Sequence, residues 1–163
     1  MTTPSSILRF HLMALARFVT GTARRGCCIS LRRMSTSIPA ALRPLLERPL
    51  FGALGTIRPD DTVQVNPMWF EFDGEHVRFT HTNKRGKFRN LQRNPSMSLM
   101  VIDPENPQSY LELRGRLVET IDDPAGEFYV RLGRRYGNPD QQPPPDKADR
   151  VILVMSVEKA NGR

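Results

Sequence analysis

The sequence predicts an antiparallel β-barrel of six strands with a few short flanking helices. Three observations carry this. Residues 109–120 alternate apolar and polar side chains, as a half-buried strand requires. Asp73-Gly74 separates two strand-like runs and is a strong hairpin signal. Most of the remaining apolar runs are short and bounded by Gly, Pro or Asp, a spacing that favours antiparallel pairing over parallel crossovers.

Ser37-Ile38-Pro39 opens a helix, with Ser37 able to cap it and Pro39 suited to its first turn. Leu42, Leu45 and Leu46 give it an apolar stripe that Arg48-Pro49 ends. Residues 50–57 form the first expected strand, and Arg58-Pro59-Asp60-Asp61 turns the chain. Strands follow at 63–72 and 76–80, then a short basic helix, then a strand at 97–102. Residues 103–107 loop into the long strand at 109–120. Asp122-Asp123-Pro124 starts a helix reaching about Tyr136, which Gly137-Asn138-Pro139 stops. The tract Q-Q-P-P-P at 141–145 reads as a mobile or extended surface loop, and residues 150–157 as the last strand.

The chemistry concentrates in residues 80–95, T-H-T-N-K-R-G-K-F-R-N-L-Q-R-N-P. Lys84, Arg85, Lys87, Arg89 and Arg93 fall here with no acid among them. Cations at a helix start, beside free backbone N–H groups, form a seat for phosphate. Gly86 would let the backbone approach an anion or take a positive φ. The competing reading is a solvated basic helix face.

The formal charge of +7 does not imply a nucleic-acid partner. Residues 1–33 hold six arginines and no acid, which leaves +1 for residues 34–163 and one local basic cluster. That Arg-rich start fits a targeting peptide, a secretory signal or an over-extended gene start. The last is preferred, because Met34-Ser35-Thr36-Ser37 reads as a natural beginning. Residues 1–33 are therefore expected to be a disordered or mis-assigned extension, and residues 34–163 the folded domain. Both cysteines, Cys27 and Cys28, lie in the extension, so neither a disulfide framework nor a Cys-based zinc site is expected in the domain. His11, His76 and His81 have no metal-ligand spacing. No segment has the length of a membrane span, and a cytoplasmic setting is the simplest expectation.

Several pieces recur in an order that resembles the pyridoxamine 5′-phosphate oxidase-like split barrels, and more closely their actinobacterial flavin and deazaflavin oxidoreductases. They are L-F-G-A-L-G-T-I-R-P-D-D at 50–61, V-N-P-M-W-F at 65–70, K-F-R-N-L-Q-R-N-P at 87–95, Y-L-E-L-R-G at 110–115 and the closing R-V-I-L-V. The resemblance implies a homodimer with cofactor sites at the subunit interface. It implies a phosphate anchor at Lys87, with Arg85, Gly86, His81 and Thr82 beside it. Asn66, Met68 and Trp69 would lie under the cofactor ring. Tyr110 stands where pyridoxamine-phosphate oxidases place a cofactor-contacting Gln, so the residue type differs there. The implied activity is hydride transfer from reduced coenzyme F-420 to an unsaturated small organic substrate, with no catalytic acid or base identified. FMN is the alternative cofactor, and a non-catalytic flavin or haem carrier or sensor the alternative class. Arg89 and Arg93 could meet the acidic tail that F-420 carries and FMN lacks.

Overall fold

A computed structural model describes residues 38–163. The expectations for the N-terminal extension, its cysteines, His11 and the Ser37 cap lie outside the described residues.

The strands are β1 (Gly52–Ile57), β2 (Val63–Met68), β3 (Glu71–Phe72), β4 (His76–Thr82), β5 (Ser96–Ile102), β6 (Tyr110–Asp122), β7 (Arg150–Ser156) and β8 (Lys159–Gly162). They are joined by helices α1 (Pro44–Glu47), α2 (Gly86–Arg93) and α3 (Glu127–Arg135). All pairings are antiparallel, in the order β2-β1-β5-β6-β7-β4-β3, with β8 alongside β6. The terminal strands of that path, β2 and β3, are consecutive in the chain, so the curled sheet is joined across Trp69-Phe70. Phe70 is fully buried at that join, and Leu54, Phe79, Leu99, Leu113, Leu153 and Met155 fill the interior behind it.

Eight strands replace the expected six, for two reasons. The expected strand at 63–72 breaks at Trp69-Phe70, where the Tyr136 hydroxyl accepts the Phe70 N–H (3.1 Å) and donates to the Leu50 carbonyl (2.7 Å). A side chain thus takes a backbone group that a strand partner would otherwise use. The additional strand β8, K-A-N-G, has no apolar alternation and exists through its pairing with the first half of β6.

The long strand β6 serves two partners along one edge. Its second half pairs with β7 and its first half with β8, and the chain bends at Val157-Glu158 between them. The two segments meet most closely at Gly115. A Cβ there would lie 1.7 Å from the Ser156 carbonyl oxygen.

The helices differ in detail from expectation. The first splits into a 3₁₀ turn, Ala40–Leu42, and the short α1, because Pro44 supplies no N–H to continue the ladder. Leu42, Leu45 and Leu46 are buried as the stripe implied. α3 begins at Glu127 rather than at the Asp-Asp-Pro run. Asp123 still holds its start by accepting the Glu127 (2.8 Å) and Phe128 (3.1 Å) N–H groups across the left-handed Gly126. The Q-Q-P-P-P tract forms no regular element, and only Pro144 of it is buried, next to Gly126.

Candidate functional site

Elements from both ends of the β2-to-β3 sheet path border one cavity of about 700 Å³. Strand β2 lines it with Gln64, Asn66, Pro67 and Met68, and the chain break adds Trp69. Strand β4 contributes Thr80 and His81, and the start of α2 contributes Arg85, Gly86 and Lys87. Phe51, Tyr129 and Arg150 complete the wall from β1's entry, α3 and β7.

The local sequence explains why Lys87 points inward. Arg85 is extended and opens α2, so Lys87, Asn90 and Leu91 stack on one buried helix face at spacings of three and four. Asn90 fixes that face against the barrel, donating to Thr56 Oγ1 (3.3 Å) and Gln64 Oε1 (2.9 Å). No side chain caps the helix, which leaves its first N–H groups available to a ligand. Gly86 does not adopt a positive φ, but the space where its side chain would stand is open.

The electrostatics at this end of the cavity favour an anion. Lys87 is only 3% exposed, and it pairs with no carboxylate among the described residues. Burial pushes its amine down to about 8. His81 is also buried, and its Nε2 has no hydrogen-bond partner. Burial, reinforced by the charges of Lys87, Arg85 and Arg150, pushes its imidazole down to about 4, so it is neutral at ordinary pH. Thr80 Oγ1 is a second buried polar atom without a partner. Arg85 and Arg150 share Asp146, so three cations face one carboxylate. Unpaired buried polar groups are costly in an empty fold, and an anionic, oxygen-rich ligand placed against Lys87 would give both His81 Nε2 and Thr80 Oγ1 a partner.

The other wall is aromatic. Trp69 stacks on Tyr136 (5.4 Å between ring centres) and leans on Tyr129 (5.6 Å), while Phe51 meets Tyr136 edge-on (5.4 Å). Arg150 lies 4.6 Å from the Tyr129 ring centre and links this wall to the cationic end. Cations and free N–H groups at one end and flat apolar surface at the other suit a planar molecule with a phosphate.

Of the nine residues expected to hold a cofactor, the cavity gathers seven: Lys87, Arg85, Gly86, His81, Asn66, Met68 and Trp69. Thr82 is buried beside it, its hydroxyl oxygen 3.4 Å from the Lys84 N–H. Tyr110 does not line this cavity. It begins β6, pairs with Ile102 and exchanges backbone hydrogen bonds with Arg163. Gln64, Thr80, Tyr129 and Arg150 were not anticipated from the sequence. Gln64 sits one residue before the V-N-P-M-W-F motif, and Thr80 and Arg150 open quoted stretches that were read for fold and charge, whereas Tyr129 arrives from a distant segment without a local signal. Arg89 and Arg93, suggested partners for an acidic tail, are already engaged: Arg89 donates to the Lys84 carbonyl (3.1 Å), and Arg93 to the Arg58 carbonyl and the Asp61 carboxylate (3.3 Å).

Among the described residues, no helix is long and apolar enough to cross a membrane. No group of three or more His, Cys, Asp or Glu side chains there could hold a metal ion.

Fold and site together define a split-barrel protein with a cavity that is cationic at one end and aromatic at the other. The sequence model of the pyridoxamine 5′-phosphate oxidase family matches residues 38–163, and the chain belongs to that family. Among solved structures, it is similar to an F-420 reductase, with 52% identity and a TM-score of 0.74 over 76% of this chain and 98% of that one. It shares its fold with a conserved hypothetical protein from Mycobacterium tuberculosis, at 22% identity and a TM-score of 0.60 over 80% of this chain and 87% of that one. A third is a putative pyridoxamine 5′-phosphate oxidase from Listeria innocua, at 19% identity and 0.56 over 75% and 94% of the respective chains. No match was found among curated proteins.

Proposed function

We propose that this protein is an oxidoreductase that uses reduced coenzyme F-420 to deliver hydride to an unsaturated small organic substrate. The observation that carries the reading is the convergence on one cavity with an aromatic wall of the unpartnered buried atoms His81 Nε2 and Thr80 Oγ1 with Lys87, a buried residue that pairs with no carboxylate among the described residues. The 52% identity to a protein named an F-420 reductase supports deazaflavin over flavin. Lys87, Arg85 and the free N–H groups of α2 would hold the phosphate, and His81 and Thr80 would complete its hydrogen bonds. Asn66 and Met68 would face the ring, with Trp69 and Tyr129 beside the substrate space. When bound, the cofactor supplies the hydride, and the protein's share is to orient ring and substrate and to keep water out.

FMN is the second reading. It is favoured by the engagement of Arg89 and Arg93 with backbone carbonyls, which removes the most obvious partners for a polyglutamate tail. Equilibrium binding of the two cofactors, followed by their fluorescence, separates the readings. Binding of F-420 at least tenfold tighter than FMN is expected. The reverse order would make the protein flavin-linked, and failure of both to bind would remove the reading.

The expected homodimer is proposed on similar ground. Val63 and Val65 on β2, Phe51 beside β1, and Met100 and Ile102 on β5 are exposed apolar side chains of neighbouring strands. The register places Val65 opposite Gly55 and Met100 opposite Ala53, so small residues flatten the surface between them. Phe51 also lines the cavity, which would bring the site to the edge of such an interface. Sedimentation equilibrium at micromolar concentration is expected to give twice the chain mass, and a monomer there would count against the dimer.

A further inference from the structure

The carboxylate of Asp146 stands behind the cationic end of the cavity and does not line it. Its Oδ1 accepts from Arg150 Nε (3.0 Å) and Nη2 (2.8 Å), and its Oδ2 lies 3.5 Å from Arg85 Nη2. Arg150 is 8% exposed and is therefore committed to this pair, while Arg85 is largely exposed and only loosely engaged. The segment around Asp146 is tied to the site at two further points. Asn83 N–H donates to the Asp149 carbonyl (3.0 Å), and Lys84 pairs with the Asp149 carboxylate (3.5 Å). Asp146 is thus a fixed negative charge held against two of the three cations that an incoming anion would meet.

We propose that Asp146 determines specificity at this site, biasing it against doubly charged phosphate monoesters and toward singly charged phosphodiesters. The inference rests on the cofactor reading above and deepens it. The interaction of a fixed charge with a neighbouring phosphate is proportional to the phosphate's charge, so the factor Asp146 imposes on a singly charged phosphate is squared for a doubly charged one in the same place. A phosphate monoester, as in FMN, carries close to two charges at neutral pH. The phosphate of F-420 is esterified on both sides and carries one. Asp146 neutralises Arg150 and draws on Arg85, leaving Lys87 as the uncommitted cation, which matches one negative charge better than two.

The test compares wild type, Asp146→Asn and Asp146→Glu for binding of F-420 and FMN at neutral pH and fixed ionic strength. Asn keeps an oxygen to accept from Arg150 while removing the charge. It is expected to tighten FMN by about tenfold and F-420 by about threefold, shifting the selectivity ratio about threefold. Glu keeps the charge and is expected to retain the wild-type ratio. Equal changes for both cofactors, or none, would make Asp146 a structural partner of Arg150 and overturn the proposal. Melting temperature checks folding, and Asp146→Ser replaces the Asn variant should that fail to fold. Lys87→Met serves as the reference. If neither cofactor binds in a Lys87-dependent way, the cofactor reading falls and this inference with it. Lys87-dependent binding with an unchanged ratio removes only the role of Asp146.

Discussion

Lys87→Met is expected to weaken binding of either phosphate-bearing cofactor by about a hundredfold, the scale of losing one buried charged hydrogen-bond donor, while making the empty protein more stable. The two effects have one cause. The residue is 3% exposed and has no carboxylate partner among the described residues, so the empty fold bears its desolvation cost. Its fall from 10.5 to about 8 on folding corresponds to a penalty on the order of 3 kcal/mol. The unfolded chain holds this proton more tightly than the folded one. The penalty is therefore complete below pH 8 and is relieved as pH rises from about 8 toward 10.5. Chemical denaturation of empty wild type and K87M at neutral pH and at about pH 10 measures this directly. The advantage of the variant is expected to be largest at neutral pH and to shrink in alkali. A variant that binds as tightly as wild type would remove the phosphate anchor. One no more stable than wild type would show that the amine is not desolvated.

Gly115→Ala is expected to cost more than about 4 kcal/mol, enough to lower the melting temperature by roughly 15 °C or to prevent folding. The added carbon would stand 1.7 Å from the Ser156 carbonyl oxygen and 2.8 Å from its carbon. Both are backbone atoms of the strand that bends past β6, so no rotamer change relieves the overlap. Gly55→Ala is the matched control, because its nearest contact would be an ordinary 3.6 Å from the Ser98 carbonyl oxygen. Thermal melts of the two variants are expected to differ widely. Equal melts would mean that the β7-to-β8 bend can move away from β6 at little cost.

The elements legible in the sequence were those with a local physical cause. Strand β6 declared itself through alternation, and Leu111 and Leu113 are buried as that pattern demands while Arg114 and Arg116 are exposed. The Asp73-Gly74 turn declared itself through chemistry. Gly74 takes φ 102°, and Asp73 accepts the Glu75 and His76 N–H groups. The basic start of α2 was legible because cations cluster there without acids. Two features were misread because their causes lie elsewhere in the chain. Whether residues 63–72 make one strand or two depends on the Tyr136 hydroxyl, 66 positions from the Phe70 amide it accepts. Strand β8 depends on an open edge of β6.

The antiparallel class, the hairpin positions and the concentration of positive charge at 84–93 are written in local pattern, because propensity, periodicity and net charge act between near neighbours. Which of those cations is free for a ligand follows from contacts made across the fold. Asp61, Asp146 and Asp149 engage Arg93, Arg85 and Lys84, and Lys87 is left buried and unpaired. Pairing and desolvation are set by distances across the fold, and these distances turn one lysine in a basic run into the candidate anchor of the site.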